Sequence, residues 1–231
     1  MSENLAEQAA GIGALADAVR RDLYEYVVAQ VQPVGREEAA AAVDIPLHMA
    51  KFHLDRLVQE GLLETEFRRL SGRSGPGAGR PAKLYKRSSR EWSVTLPARH
   101  YGLMAHILVA GVEQAAAQGK PVDESLRRAA AEEGTRAAES VPADERATSP
   151  RDITALSNAL ARYGYEPRID EDDELLLVNC PFEALARSHT ALVCGLNLSF
   201  VEAITEGLGC SEVDARLEPH SAYCCVRGRA R

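Results

Sequence analysis

Five cysteines carry the densest chemistry in this sequence, and all of them lie after residue 179: Cys180, Cys194, Cys210, Cys224 and Cys225. Their spacing, C-x13-C-x15-C-x13-C-C, contains no CxxC pair, so the zinc-ribbon and thioredoxin patterns are excluded. Thiolates are soft donors, and four of them are what an iron–sulfur cluster takes; zinc accepts the same donor type. Cys180, Cys194 and Cys210 with either Cys224 or Cys225 would complete such a set. Successive strand residues point to opposite faces, so the last two are not expected to serve one centre. His189 and His220 are spare donors for a mixed site, though each reads first as a surface histidine.

The elements that must position these thiols form a small α+β unit over residues 151–231, in the order α-β-β-α-β-β. Ile153, Leu156, Leu160 and Tyr163 give a helix an apolar face. Tyr165 to Ile169 and Glu174 to Asn179 read as strands joined by the acidic turn Asp170–Asp173. That acidic run lacks a glycine-centred calcium loop and reads as a solvated hairpin tip. Pro181 to Leu208 is helical with a break near His189. Val213 to Leu217 and Ala222 to Arg227 are the last two strands, and the cysteines fall at the ends of these elements.

A second constellation occupies Val34 to Arg90. Pro46 suits the first turn of a helix, and Met49, Ala50, Phe52, Leu54, Leu57 and Val58 supply its apolar stripe up to the stop at Gly61. His48, Lys51, His53 and Arg56 are the donors expected on its other face. A shorter helix, Gly35 to Val43, precedes it across a turn at Asp44. Two helices joined this way form a helix-turn-helix pattern. Leu62 to Leu70 and Ala82 to Arg87 read as a strand pair around the glycine-rich segment 71–81, which makes the domain a winged helix. Between Arg68 and Arg90 there are eight Lys or Arg residues and no Asp or Glu; with a whole-chain charge of −7, the remainder sums to −7 − 8 = −15. A confined basic stripe on an acidic protein points to a local phosphate contact, with Arg73, Arg80 and Lys83 reaching from the wing. Gly75, Gly77 and Gly79 are no phosphate cradle, because a strand rather than a helix N-terminus follows them.

The remaining chain gives the order of parts. A helix from Ile12 to Val31 opens a winged helix-turn-helix domain over 12–95. Residues 96–140 read as two helices forming a dimerisation segment, 141–150 as a proline-interrupted linker, and 151–231 as the cysteine-bearing domain. The overall class is α+β. The N-terminus is acidic where a secretory signal is basic and then apolar, and no apolar run reaches the length of a membrane span, so a cytoplasmic protein with no membrane partner and no permanent disulfides is expected. No nucleophile elbow or HExxH motif is present, and no enzyme activity is expected.

Two stretches carry a family resemblance. Leu15-Ala-Asp-Ala-Val-Arg-Arg-Asp-Leu-Tyr-Glu-Tyr-Val27 and His53-Leu-Asp-Arg-Leu-Val-Gln-Glu-Gly-Leu-Leu63 resemble ArsR-like winged-helix repressors. Together with Asn179-Cys-Pro-Phe182, His189-Thr-Ala-Leu-Val-Cys194 and the later cysteines, the chain is similar to their SufR-like branch. That resemblance implies a homodimeric repressor that binds a palindromic double-stranded operator. It also implies an iron–sulfur cluster on Cys180, Cys194 and Cys210, with Cys224 as the fourth ligand and Cys225 as its substitute. A zinc-structured or effector-binding C-terminal domain is the alternative. The sequence departs from the family in the second cysteine interval and in the doubled Cys224-Cys225.

Overall fold

The structure is a computed structural model and describes residues 2–69, 81–220 and 223–231. It is a mixed α+β protein, mostly helical, with two small antiparallel sheets. The chain divides into two compact units, Met1–Val94 and Thr95–Arg231, each with its own buried apolar cluster.

In the first unit, α1 (Ser2–Ala14) and α2 (Ala18–Ala29) replace the single helix expected from Ile12 to Val31. The break is chemical: Asp17 adopts an extended backbone and its carboxylate accepts the Arg20 N–H at 2.9 Å, capping α2. α3 (Arg36–Ala42) and α4 (Leu47–Gln59) are joined by a turn in which Asp44 takes a left-handed φ of 55°. Pro46 is extended and stands just before α4 rather than inside its first turn. β2 (Leu63–Arg68) and β3 (Ala82–Arg87) pair in register from Leu63 opposite Arg87 to Arg68 opposite Ala82. A two-residue strand, β1 (Val34–Gly35), completes the sheet on the other side of β3; nothing in so short a segment marks it in sequence. Leu23, Val27, Ala50, Leu54, Leu57 and Tyr85 fill the core.

The second unit does not follow the expected partition. α5 (Tyr101–Gln118) and α6 (Val122–Glu139) are expected as a segment of their own, yet Met104, Ile107, Leu126, Ala130 and Ala138 share one core with Leu156, Phe200 and Val226. Residues 141–150 are not a linker between domains. Val141 is buried, and the Arg146 guanidinium donates to the carbonyls of Val141, Ala138 and Glu139 at 3.3–3.4 Å. Arg146 satisfies the end of α6 here, and the segment does not space two bodies.

After α7 (Ile153–Ala161) come β4 (Pro167–Ile169), β5 (Glu174–Leu177), α8 (Glu183–Ser188), α9 (Thr190–Leu208), β6 (Val213–Leu217) and β7 (Val226–Ala230). The sheet order is β4-β5-β7-β6, all antiparallel. Asp170 closes the β4–β5 hairpin by accepting the N–H groups of Asp172 and Glu174 at 3.0 and 2.9 Å, so the acidic run is turn chemistry. α9 is, among the described residues, the one helix long and apolar enough to cross a membrane, but half of it is buried inside this unit. It lies against α6, where Gly134 allows the closest approach: a Cβ there would meet the Phe200 carbonyl oxygen at 2.3 Å.

Candidate functional site

Four of the five cysteines meet at one cavity of about 650 Å³ in the second unit. Cys180 lies in the turn after β5, Cys194 in the second turn of α9, and Cys224 and Cys225 in the chain just before β7. The strand expected from Ala222 begins only at Val226. Cys224 and Cys225 are therefore not bound by strand alternation, and both line the cavity. The Cys224 N–H is held by the Leu177 carbonyl at 2.8 Å, while the Cys225 carbonyl accepts the Glu218 N–H at 2.7 Å.

The structure does not bring Cys210 to this cavity. Its fully buried thiol donates to the Asp152 carbonyl at 3.3 Å and is not among the residues lining the cysteine cavity. A cysteine that follows a helix stop can pack inward as a small apolar group, and spacing alone does not distinguish the two uses. Cys225 takes the fourth place in the cavity. Of the two spare histidines, His220 lines it, stacked on Tyr223 at 4.9 Å, and His189 stands at the α8–α9 joint.

The thiols stand as two pairs. Cys180 lies beside Cys224, and Cys194 beside Cys225. In each pair one sulfur is buried (Cys224, Cys194) and its partner half-buried (Cys180, Cys225). The hydrogen bond from Cys224 pulls the Cys180 thiol down to about 7 against the cost of burial, with help from the Phe182 N–H and the Arg99 guanidinium. That same bond, with burial, pushes Cys224 far up. Burial, then the contact with Cys225, pushes Cys194 up to about 12, and burial beside Asp152 pushes Cys210 up to about 11. Asn197 donates to the Cys224 sulfur at 3.3 Å and accepts from the buried Tyr165 hydroxyl, which fixes the orientation of the Cys224 side chain.

Sequence reasoning missed Arg99. Its guanidinium donates to the Asn179 side chain, to the Cys180 carbonyl at 3.3 Å and to Glu183. Asn179 in turn donates to the Ala98 carbonyl at 2.9 Å, and the His100 N–H to the Pro181 carbonyl at 3.1 Å. Residues 98–100, the first few after the boundary at Thr95, are thus stitched to the turn that carries Cys180. An arginine about eighty positions upstream of its partners leaves no local signal.

In the first unit, α4 presents His48, Lys51 and Arg56 outward, with Arg56 paired to Glu60. His53 does not join them. It is buried with Ala50, Leu54 and Leu57, a single i, i+3, i+4, i+7 stripe, and its Nδ1 has no partner among the described residues. Phe52, expected in the core, is 66% exposed on the donor face. Lys83 is engaged by Asp55 at 2.6 Å, and Tyr85 donates to the same carboxylate at 3.0 Å. Arg73 and Arg80 lie outside the described residues.

No protein-family model, curated protein or solved structure matches this chain. Its functional reading therefore rests on these two surfaces. A resident metal centre does not fit the thiols where they stand. The donor type and number suit a cluster, but the sulfurs are paired two by two. Among the described residues, no three His, Cys, Asp or Glu side chains are grouped to hold a metal ion.

Proposed function

We propose that the chain is a sequence-specific DNA-binding transcriptional regulator whose second unit senses chemical status through the cysteine cavity. One observation carries the DNA half. The outer face of α4, behind a tight turn from α3, exposes His48, Lys51, Phe52 and Arg56 side by side. A helix that enters the major groove needs this combination of donors with an apolar group, the first for base edges and phosphates, the second for thymine methyls. The β2–β3 pair then serves as the wing of a winged helix-turn-helix. Lys83 acts there by holding Asp55 of α4 rather than by reaching phosphate. The outward residues Tyr101, Val109 and Val112 of α5 support pairing of two copies on a palindromic operator, as a repressor in the cytoplasm would.

Selection from a random duplex library by the full chain, followed by binding across salt concentrations, tests this reading. Recovery of a palindromic site with affinity falling steeply as salt rises is the expected result. No enrichment over the starting pool would overturn it.

For the second unit, the iron–sulfur or zinc centre implied by the resemblance requires both thiol pairs to open and the sulfurs to regroup. Anaerobic purification with iron, sulfide and zinc assays decides that point; iron with acid-labile sulfide, lost in Cys194→Ser, would establish it. The cavity's volume supports a second reading, since about 300–1,000 Å³ is the range of small-molecule sites. A ligand that protects Cys180 from alkylation would favour it.

A further inference from the structure

The pairing of the sulfurs points to chemistry that needs no metal. We propose that the cavity is a hydroperoxide-reactive modification site, oxidised to two intrachain disulfides, Cys180–Cys224 and Cys194–Cys225. The argument begins with access. All four residues line one open cavity, Cys180 and Cys225 are the more exposed of them, and each has a second cysteine, Cys224 or Cys194, close beside it. An oxidant therefore meets one member of each pair, and the other is in place to resolve the product.

The steps balance. The Cys180 sulfur attacks the distal oxygen of the peroxide, the O–O bond breaks, and with one proton the other oxygen leaves as water, giving a sulfenic acid. The Cys224 sulfur attacks that sulfur, the S–O bond breaks, and a second water leaves. Two thiols and one peroxide become one disulfide and two waters. Cys225 and Cys194 follow the same course. Arg99 donates to the Cys180 carbonyl at 3.3 Å and so places a positive charge beside the first sulfur, where negative charge builds on the departing oxygen before it takes its proton.

The geometry also selects against the neighbours-in-sequence product. Cys224 accepts the Asn197 N–H at 3.3 Å and neighbours Cys180, whereas Cys225 neighbours Cys194, so a bond between Cys224 and Cys225 would abandon both contacts. Cys210 is spared, because its thiol is fully buried and tied to the Asp152 carbonyl.

The test uses the full chain, stripped of metal by chelation, reduced without oxygen, and treated with hydrogen peroxide. Of the five thiols, four should disappear with about two equivalents of peroxide, one for each disulfide, and the alkylated survivor should be Cys210. Because Cys224 and Cys225 share a proteolytic peptide, Cys225→Ser isolates the Cys180–Cys224 link and Cys224→Ser the Cys194–Cys225 link for mass spectrometry. Cys180→Ser and Cys194→Ser should each retain only the opposite link. Sulfinic acids without cross-links, a Cys224–Cys225 bond, cross-links between chains, or loss no faster than that of free cysteine would each overturn the proposal. The readout involves no DNA, so the outcome is independent of the operator-binding reading.

Discussion

Arg99→Ala tests whether the segment entering the second unit is held by the cysteine turn. The substitution removes donors to the Asn179 side chain, the Cys180 carbonyl and Glu183. The Arg99 side chain is 15% exposed, but that of Glu183 is 43% exposed, so the ion pair contributes little, about 0–1 kcal/mol. The two inner acceptors are different. Asn179 is buried, and a hydrogen bond from a charged donor contributes about 1.5–3 kcal/mol, partly recovered if water from the cavity refills the space. The net loss is about 2–4 kcal/mol. The second unit runs from Thr95 to Arg231, and for a body of this size about 4 °C of melting temperature goes with each kcal/mol, which gives a fall of about 8–16 °C. Calorimetry reads the change. The single tryptophan, Trp92, belongs to the first unit, where its indole N–H donates to the Gly61 carbonyl at 3.3 Å. Its fluorescence transition should stay in place while the second unit's transition drops. Arg99→Lys, which keeps the charge but loses the planar fork, should fall between wild type and alanine. A shift under about 2 °C, well below the worked range, or an equal shift of the tryptophan signal, would refute the argument.

Three further outcomes follow from named contacts. Gly134→Ala forces a methyl into the Phe200 carbonyl and the Ala203 side chain at the α6–α9 crossing, and overpacking of that kind should cost about 3 kcal/mol in denaturant unfolding. His53→Leu removes a buried ring whose Nδ1 has no partner among the described residues; it should leave stability unchanged or raise it by about 1 kcal/mol, with operator affinity intact, whereas Phe52→Ala should weaken binding without lowering the melting temperature. Alkylation distinguishes the thiols by pH. Because the thiolate is the reactive form, labelling of Cys180 should rise as pH climbs through about 7, while Cys210, pushed up to about 11, stays silent across the neutral range.

Much of the frame was legible because local chemistry writes it. The apolar period of α4, the turn at Asp44 and the strand pair β2–β3 all follow from residues within a few positions of one another. The α+β order of residues 151–231 was legible for the same reason. The partition of the chain was not. Alanine-rich α6 reads in sequence as part of a dimerisation segment, but its small residues Gly134 and Ala138 are what let α9 approach, and only the partner helix reveals that use. His53 and Phe52 exchanged places for a related reason. Polarity assigns histidine outward and phenylalanine inward, but the helical stripe is fixed by Ala50, Leu54 and Leu57, and position 53 falls on it whatever residue stands there.

The cysteines show where sequence spacing stops being informative. Interval counting treats Cys210 as the third member of a series and Cys224-Cys225 as a redundancy. In the fold, Cys210 is sealed against the Asp152 carbonyl, and the doubled pair is the centre of the site, each half beside a different partner. That arrangement depends on where β7 begins. Had the strand started at Ala222, alternation would have sent one of the two sulfurs to the opposite face and left three thiols at the cavity. Starting at Val226, with the Leu177 carbonyl holding the Cys224 N–H and the Cys225 carbonyl taking the Glu218 N–H, it leaves four. A shift of a few residues in a strand boundary, the least legible feature of any sequence, thus separates a paired dithiol site from a three-thiol one.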